Sequence, residues 1–345
     1  KGERCYMYSE IYLLLTEACP NRCEYCYIKN RANPKSMTMQ LIDEKIQKFN
    51  PTRILFFGGE PLVRLDLMEE VVKKYYGKIK FQVVTSTSAN FKEFIEFNKK
   101  YPLNEVQLSW DGFNNNRVNT AGNSISKDVY KNIEYAISQG LRFDIKSVIS
   151  NNNVFNLKEI HDKFKELKKY HVSGQFVIAH RDYYADDFYE ILREQLPYTF
   201  DISKMYSDNL NKIIAYLNND RSFSSCDIGK YITIDPYGNE SVCTALSQER
   251  TKFDIDEVQT PCTNKDCLKC EYSYLCDGGC RYERYNKYKS EWKSNYLKST
   301  CKVVKIYADA IKEFLDQLTI YDRYRLYDII VEYKAYLKRY YSEVK

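Results

Sequence analysis

The sequence has few histidines, three in 345 residues, and no uninterrupted apolar run near the ~18 residues that a membrane-spanning helix needs, which excludes a helical membrane span. Its first residues lack the charged, then apolar, then small-residue succession of a secretory signal, so a cytoplasmic location is expected. It lacks a strong charge bias. A net charge of +5 over this length does not by itself imply nucleic acid or a membrane surface as partner. Internal repeats and low-complexity segments are also missing. Twelve cysteines fall well short of the ~8–10% that marks a disulfide scaffold, and a chain with 44% hydrophobic and 29% charged residues can bury a core without such staples. Reduced, metal-binding thiols are the better reading.

The cysteines are also missing from one long stretch, with none between Cys26 and Cys226. A structural thiol behaves as a small buried hydrophobe and belongs in the apolar strands and helices of that stretch. Its absence there points to cysteines placed for ligation. Cys5 alone has no cluster to join and reads as such a buried hydrophobe.

Between residues 11 and 180 a short apolar run, a polar turn and a helical period recur six times. The apolar runs are Ile11 to Leu15, Arg53 to Phe57, Phe81 to Val84, Glu105 to Leu108, Phe143 to Val148 and Gln175 to Ala179. Between them, sets such as Val129, Ile133, Ala136 and Ile137 have the three-or-four spacing of one helix face. Alternating strands and helices predict parallel βα units with right-handed crossovers. The fold class expected is α/β, a partial six-unit barrel. Loops that follow parallel strands gather at one end of a barrel, where barrel enzymes keep their sites. Here those loops hold Cys19, Cys23 and Cys26, then Gly58-Gly59-Glu60-Pro61, Thr85-Ser86-Thr87 and Ser109-Trp110-Asp111-Gly112.

From about residue 222 the periodicity gives way to loops rich in Gly, Pro, Asp, Asn and Cys, with one hairpin-like stretch from Tyr231 to Asn239. The organisation expected is a barrel over 1–185, helical linkage over 186–221, a small metal-stapled domain over 222–302 and C-terminal helices over 303–345.

Cys19, Cys23 and Cys26 can put three thiolates on one face of a tight loop. A four-iron cluster has four corners, so three protein ligands leave one iron open. The alternative is a zinc site completed by a distant residue, for which neither His161 nor His171 is persuasive. With Tyr25 just before the last cysteine, and Gly58-Gly59-Glu60-Pro61 after the second strand, the loop resembles the signature of radical S-adenosylmethionine (SAM) enzymes. The resemblance implies that the open iron is chelated by the amino and carboxylate groups of SAM. Gly58 and Gly59 then permit close backbone approach, and Glu60 accepts hydrogen bonds from the cofactor ammonium. By the same resemblance, Ser109 and Arg117 hold the cofactor carboxylate and Ser86 contacts the ribose. His180, directly after the sixth strand, can face the site or serve structurally.

Downstream, Cys226 is followed by Gly238 and Cys243, then by Cys267, Cys270, Cys276 and Cys280 with gaps of two, five and three, and finally by Cys301. This resembles the seven-cysteine SPASM module of peptide- and protein-modifying radical SAM enzymes. A zinc ribbon would account for Cys267, Cys270, Cys276 and Cys280 alone. The resemblance implies two auxiliary clusters, an outer one on Cys267, Cys270, Cys276 and Cys301 and an inner one on Cys226, Cys243 and Cys280, for three 4Fe-4S clusters in all. The fourth inner ligand is either Cys262 or an open position for a substrate thiolate.

The function implied is a peptide maturase. A 5′-deoxyadenosyl radical abstracts hydrogen, and a thioether or carbon–carbon cross-link is installed in a ribosomally made peptide. A formylglycine-generating sulfatase maturase is the alternative, but such enzymes commonly carry an aspartate where this chain has Thr244. A tRNA-modifying enzyme and a non-catalytic iron–sulfur scaffold are further alternatives. The basic, aromatic stretch from Arg281 and the Tyr-rich tail suit RNA stacking, although they equally suit amphipathic helices with wet hydroxyls. Partners implied are the peptide and an electron donor such as flavodoxin or ferredoxin, with neither membrane nor nucleic acid. With the first strand at residue 11, an N-terminal peptide-recognition module is not expected, which leaves leader recognition to a separate protein, another surface, or no leader at all.

Overall fold

The computed structural model describes residues 8–28, 32–179, 184–203, 205–219, 231–249, 262–276 and 278–342. Cys5, His180 and Cys226 lie outside the described residues. Six parallel strands, β1 (Glu10–Leu14), β2 (Arg53–Phe57), β3 (Lys80–Thr85), β4 (Glu105–Ser109), β5 (Asp144–Ile149) and β6 (Ser173–Ile178), lie side by side in chain order. Helices α1 (Met39–Phe49), α2 (Leu65–Tyr75), α3 (Phe91–Lys100), α4 (Ser126–Ser138) and α5 (Leu157–Leu167) connect them. This is the α/β partial barrel that the six-fold pattern predicts.

The strands are short and apolar because both faces are covered, as parallel sheets require. Ile11, Ile54, Phe56 and Leu108 are fully buried. Each helix turns one stripe inward, Ile42 and Ile46 on α1 and Val129, Ile133 and Ala136 on α4. Thr38 caps α1, its side chain accepting from the Leu41 amide at 3.3 Å, and Asn50 ends it in the left-handed conformation at φ 43°.

The hairpin-like stretch forms β7 (Tyr231–Ile234) and β8 (Glu240–Ser241), which pair antiparallel. The structure adds what the periodicity did not predict: β7 also pairs parallel with β1, Glu10 opposite Tyr231 and Leu13 opposite Ile234. The sheet therefore has eight strands in the order β6-β5-β4-β3-β2-β1-β7-β8. Tyr12 stacks on Tyr231 with ring centroids 3.9 Å apart, and Glu240 takes ion pairs from Lys45 and Lys48 of α1.

Helices α6 (Phe188–Gln195) and α7 (Ser207–Asn218) follow the sixth strand. The cysteine-rich segment contributes α8 (Lys265–Leu268), α9 (Ser273–Cys276) and α10 (Arg281–Tyr288), and the chain ends in α11 (Lys298–Gln317) and α12 (Ile320–Ser342). No helix among the described residues is long and apolar enough to cross a membrane.

His161 of α5 is a core residue. It is buried against the Tyr206 hydroxyl, which shares a hydrogen bond with its Nδ1, and its Nε2 lies 3.7 Å from Asp201. Burial lowers its pKa, outweighing the pull of Asp201. The unfolded chain then binds the proton more readily, near pH 6.5. This contribution to stability is complete above that pH and is lost as pH falls through it toward the lower folded value. Melting temperature should therefore drop between pH 7.5 and 5.5 by more in the wild type than in His161→Gln; an equal drop would count against it.

Candidate functional site

The three-cysteine loop is laced to its neighbours by backbone hydrogen bonds. On one side Gly59 N–H donates to Thr16 O at 2.7 Å and Glu60 N–H to Ala18 O at 2.9 Å; on the other Arg22 N–H donates to Val118 O at 2.7 Å and Thr120 N–H to Pro20 O at 3.1 Å. The approach is close enough to require glycine. A Cβ on Gly59 would stand 2.3 Å from Ala18 O and 2.7 Å from Glu17 O, all backbone atoms. Within this frame Cys19, Cys23 and Cys26 are half-buried cysteines. Asn21 N–H points at the Cys19 sulfur at 3.4 Å, and a turn from Cys23 O to Cys26 N–H at 3.2 Å sets the last cysteine. Three thiols on one loop fit a cluster that keeps one corner open.

Glu60 is buried, and its carboxylate is filled from within the chain. One oxygen accepts from Leu62 N–H at 3.2 Å and the Thr85 hydroxyl at 2.6 Å, the other from Ser86 N–H at 2.8 Å and the Ser86 hydroxyl. Burial raises its pKa, and these four donors hold it down in part. Four lone-pair sites are thus taken. For Glu60 to accept from an ammonium, the Ser86 or Thr85 hydroxyl must turn away. Ser86 is already linked to the cysteine loop, since Asn21 Nδ2 donates to its Oγ at 2.9 Å and to Ser88 Oγ at 2.8 Å. The structure therefore brings Glu60, Ser86 and the cysteine loop into one network.

A second network sits across the loop. Arg117, almost wholly buried, places its Nε 2.7 Å from Asp111 Oδ2, its Nη1 3.8 Å from the Cys23 sulfur and its guanidinium 5.4 Å over the Tyr25 ring. Tyr25 donates its hydroxyl to the same Asp111 oxygen at 2.6 Å. Burial disfavours the Arg117 charge, but Asp111, Tyr25 and Cys23 outweigh it and raise its pKa. Burial likewise pushes the Tyr25 phenol well above its ordinary value. Asp111 is itself anchored by Val148 N–H at 2.8 Å and Asn116 Nδ2 at 3.2 Å. Ser109, the last residue of β4, is buried on the strand that leads into this turn.

Sequence reasoning passed over Asp111, which read as part of a turn with Gly112. The signal that can find it is an acidic residue six positions before a buried arginine, both in loops at the same end of the sheet. It also passed over Tyr27. That phenol is buried beside Thr244, within electrostatic reach of Cys26 and of Cys243, and burial, with both sulfurs adding to it, keeps it protonated.

Cys243 follows β8, and Cys280 immediately precedes α10, whose Arg281 acts electrostatically on Cys243. Cys267 lies on α8, Cys270 just beyond it, Cys276 at the end of α9 and Cys301 in the first turn of α11. Among these last four, Cys267 is within electrostatic reach of Cys276 and Cys301, and Cys301 of Cys270. Among the described residues no three His, Cys, Asp or Glu side chains converge closely enough for a single metal ion. A cubane, with one iron at each ligated corner, spreads its thiolates further apart than a single ion does.

The Radical SAM superfamily profile matches residues 13–167. The chain is 24% identical over 321 residues to the radical SAM cyclopropyl synthase TigE of Paramaledivibacter caminithermalis, covering 78% of this chain and 67% of that protein. Among solved structures, anSMEcpe with bound AdoMet superposes with a TM-score of 0.70 at 16% identity, over 92% of this chain and 97% of that one. Streptococcus suis SuiB bound to its precursor peptide SuiA gives 0.63 at 16% identity, over 86% and 76%. At these identities the two structures speak for the fold.

Proposed function

We propose, from the premise that residues 13–167 form a radical SAM domain and the protein is a radical SAM enzyme, that it closes a carbon–carbon bond in a ribosomally made peptide. The observation that carries this reading is the placing of the downstream thiols: Cys243 lies within electrostatic reach of Tyr27, which directly follows Cys26 of the first loop. A peptide bound there would meet both sites at once. The similarity to a cyclopropyl synthase favours carbon–carbon over thioether closure, since a cyclopropane is made by forming one carbon–carbon bond with loss of two hydrogens. SuiB, similar in fold, is solved with a precursor peptide.

When bound, SAM supplies a carbon radical that abstracts a hydrogen atom from the substrate. This chain's residues provide the setting. Cys19, Cys23 and Cys26 would hold the first 4Fe-4S cluster. The backbone of Gly58 and Gly59, with Glu60 and Ser86, would line the cofactor on one side, and Ser109 and Arg117 on the other. Tyr25 packs against both Asp111 and Arg117 and would keep water from the cluster. Cys243 and Cys280, with Cys226, would hold an inner auxiliary cluster, and Cys267, Cys270, Cys276 and Cys301 an outer one. Thr244, standing where formylglycine-forming enzymes commonly carry an aspartate base, weighs against formylglycine formation.

Anaerobically purified protein should contain about twelve irons and, given reductant, cleave SAM. A short peptide encoded beside it should lose about two hydrogens in mass. Intact clusters without SAM cleavage would overturn the enzyme reading, and a mass gain of one oxygen would overturn bond closure.

A further inference from the structure

We propose that the outer face of α12 is a self-complementary docking surface on which a second copy of this chain seats antiparallel, forming a two-fold dimer. The sequence makes α12 apolar on two sides. Leu326, Ile329, Ile330 and Tyr333 face inward and join or pack against the core. On the other side Ile320, Tyr321, Tyr324, Tyr327 and Val331 are 76%, 74%, 69%, 65% and 46% exposed. A helix that meets water on one face keeps that face polar, and one with apolar stripes on both sides is covered on both. These tyrosines do not tuck their rings under the helix with only the hydroxyls wet, because the rings themselves are exposed.

Spacing and area identify the kind of occupant. Ile320, Tyr324, Tyr327 and Val331 follow one another at steps of four, three and four residues, the alternation that keeps a straight seam against another helix. The three exposed tyrosines can each bury ~150–250 Å² when fully covered, so with Ile320 and Val331 the face offers on the order of 600 Å² before its rim is counted. A standard interface takes ~800 Å² from each partner. Contiguous apolar patches of this size on a protein surface mark an interaction site.

Symmetry and charge then single out a second copy and its direction. Read backwards, the seam has the same steps of four, three and four, so it matches itself when reversed. A two-fold axis between Tyr324 and Tyr327 sets Ile320 against the partner's Val331 and Tyr324 against the partner's Tyr327. The aromatic pairs thus stand at the centre, where binding energy concentrates. Lys334 and Lys338 continue the same line by steps of three and four. In a parallel pair each would face its own copy, and like charges so placed are unfavourable. In the antiparallel pair both run past the partner's Ile320, toward the end of its α11, where Glu313 and Asp316 are exposed.

The test uses the full chain, loaded anaerobically, and reads its mass by analytical ultracentrifugation. The wild type should sediment at twice the chain mass at micromolar concentration. Tyr324→Glu and Tyr327→Lys, both at exposed positions that leave the fold intact, should each weaken dimerisation by at least ~10²-fold, with iron content and SAM cleavage unchanged. An equimolar mixture of the two variants should recover dimers, because the two altered side chains then face each other across the axis as an opposite-charge pair. In a parallel dimer they would not meet. Three results overturn the proposal: a monomeric wild type, variants that dimerise as the wild type does, and a mixture that stays monomeric. A monomeric wild type whose variants bind the substrate peptide more weakly would give this face to the peptide instead.

Discussion

Replacing Asp111 with alanine should unfold or cripple the protein. Its carboxylate sits between Tyr25, Arg117, Asn116 and the Val148 amide. Removing it leaves the Arg117 charge buried with its main anion gone, a loss worth about 3–5 kcal/mol. Displacing Tyr25 and Arg117 also disturbs the two groups packed on the Cys23 side of the loop. A misplacement of ~1 Å there should cost on the order of 10²-fold in SAM cleavage. The two effects separate in a double-mutant cycle. Asp111→Ala with Arg117→Met should recover much of the denaturation midpoint, because no uncompensated charge remains, while SAM cleavage stays low. Recovery of cleavage together with stability would show that the pair serves folding alone.

Gly59→Ala should have an effect of similar size by a different route. The added methyl meets backbone oxygens of Glu17 and Ala18 at 2.7 and 2.3 Å, and neither is the far end of a flexible side chain. The loop must move away, breaking the hydrogen bonds from Gly59 to Thr16 and from Glu60 to Ala18. Overpacking of this kind costs ~1–3 kcal/mol, and here the strain falls on the segment that presents Cys19. The expected result is a chain that still folds, since the barrel core lies elsewhere, but retains fewer irons after desalting and cleaves SAM at least ~10²-fold more slowly. Unchanged iron retention and cleavage would mean that the glycine is dispensable.

The six parallel strands were legible because each is a compact apolar run bounded by polar turns; the structure moves their ends by no more than two residues. The loops that follow them were legible for the same reason. What lay beyond local pattern was partnership. Tyr231 to Ile234 reads as half of a hairpin, and nothing in four residues says that their free edge will meet β1. Asp111 was visible as a residue but not as the anchor of Arg117 and Tyr25, because that role depends on two loops converging. Glu60 was singled out as a hydrogen-bond acceptor, while its saturation by Thr85 and Ser86 requires β3 to end where it does.

The pairing of β1 with β7 has a consequence for how the chain is made. At translation rates of ~5–20 residues per second, β1 leaves the ribosome roughly 10–40 s before β7 does, because Tyr231 is paired with Glu10. During that interval β1 can pair with β2 while its other edge stays bare, an apolar strand inviting contact with other nascent chains. The barrel sheet is thus completed after synthesis of the segment that carries the downstream cysteines is under way. Closing the sheet and positioning Cys243, just past β8, are one event.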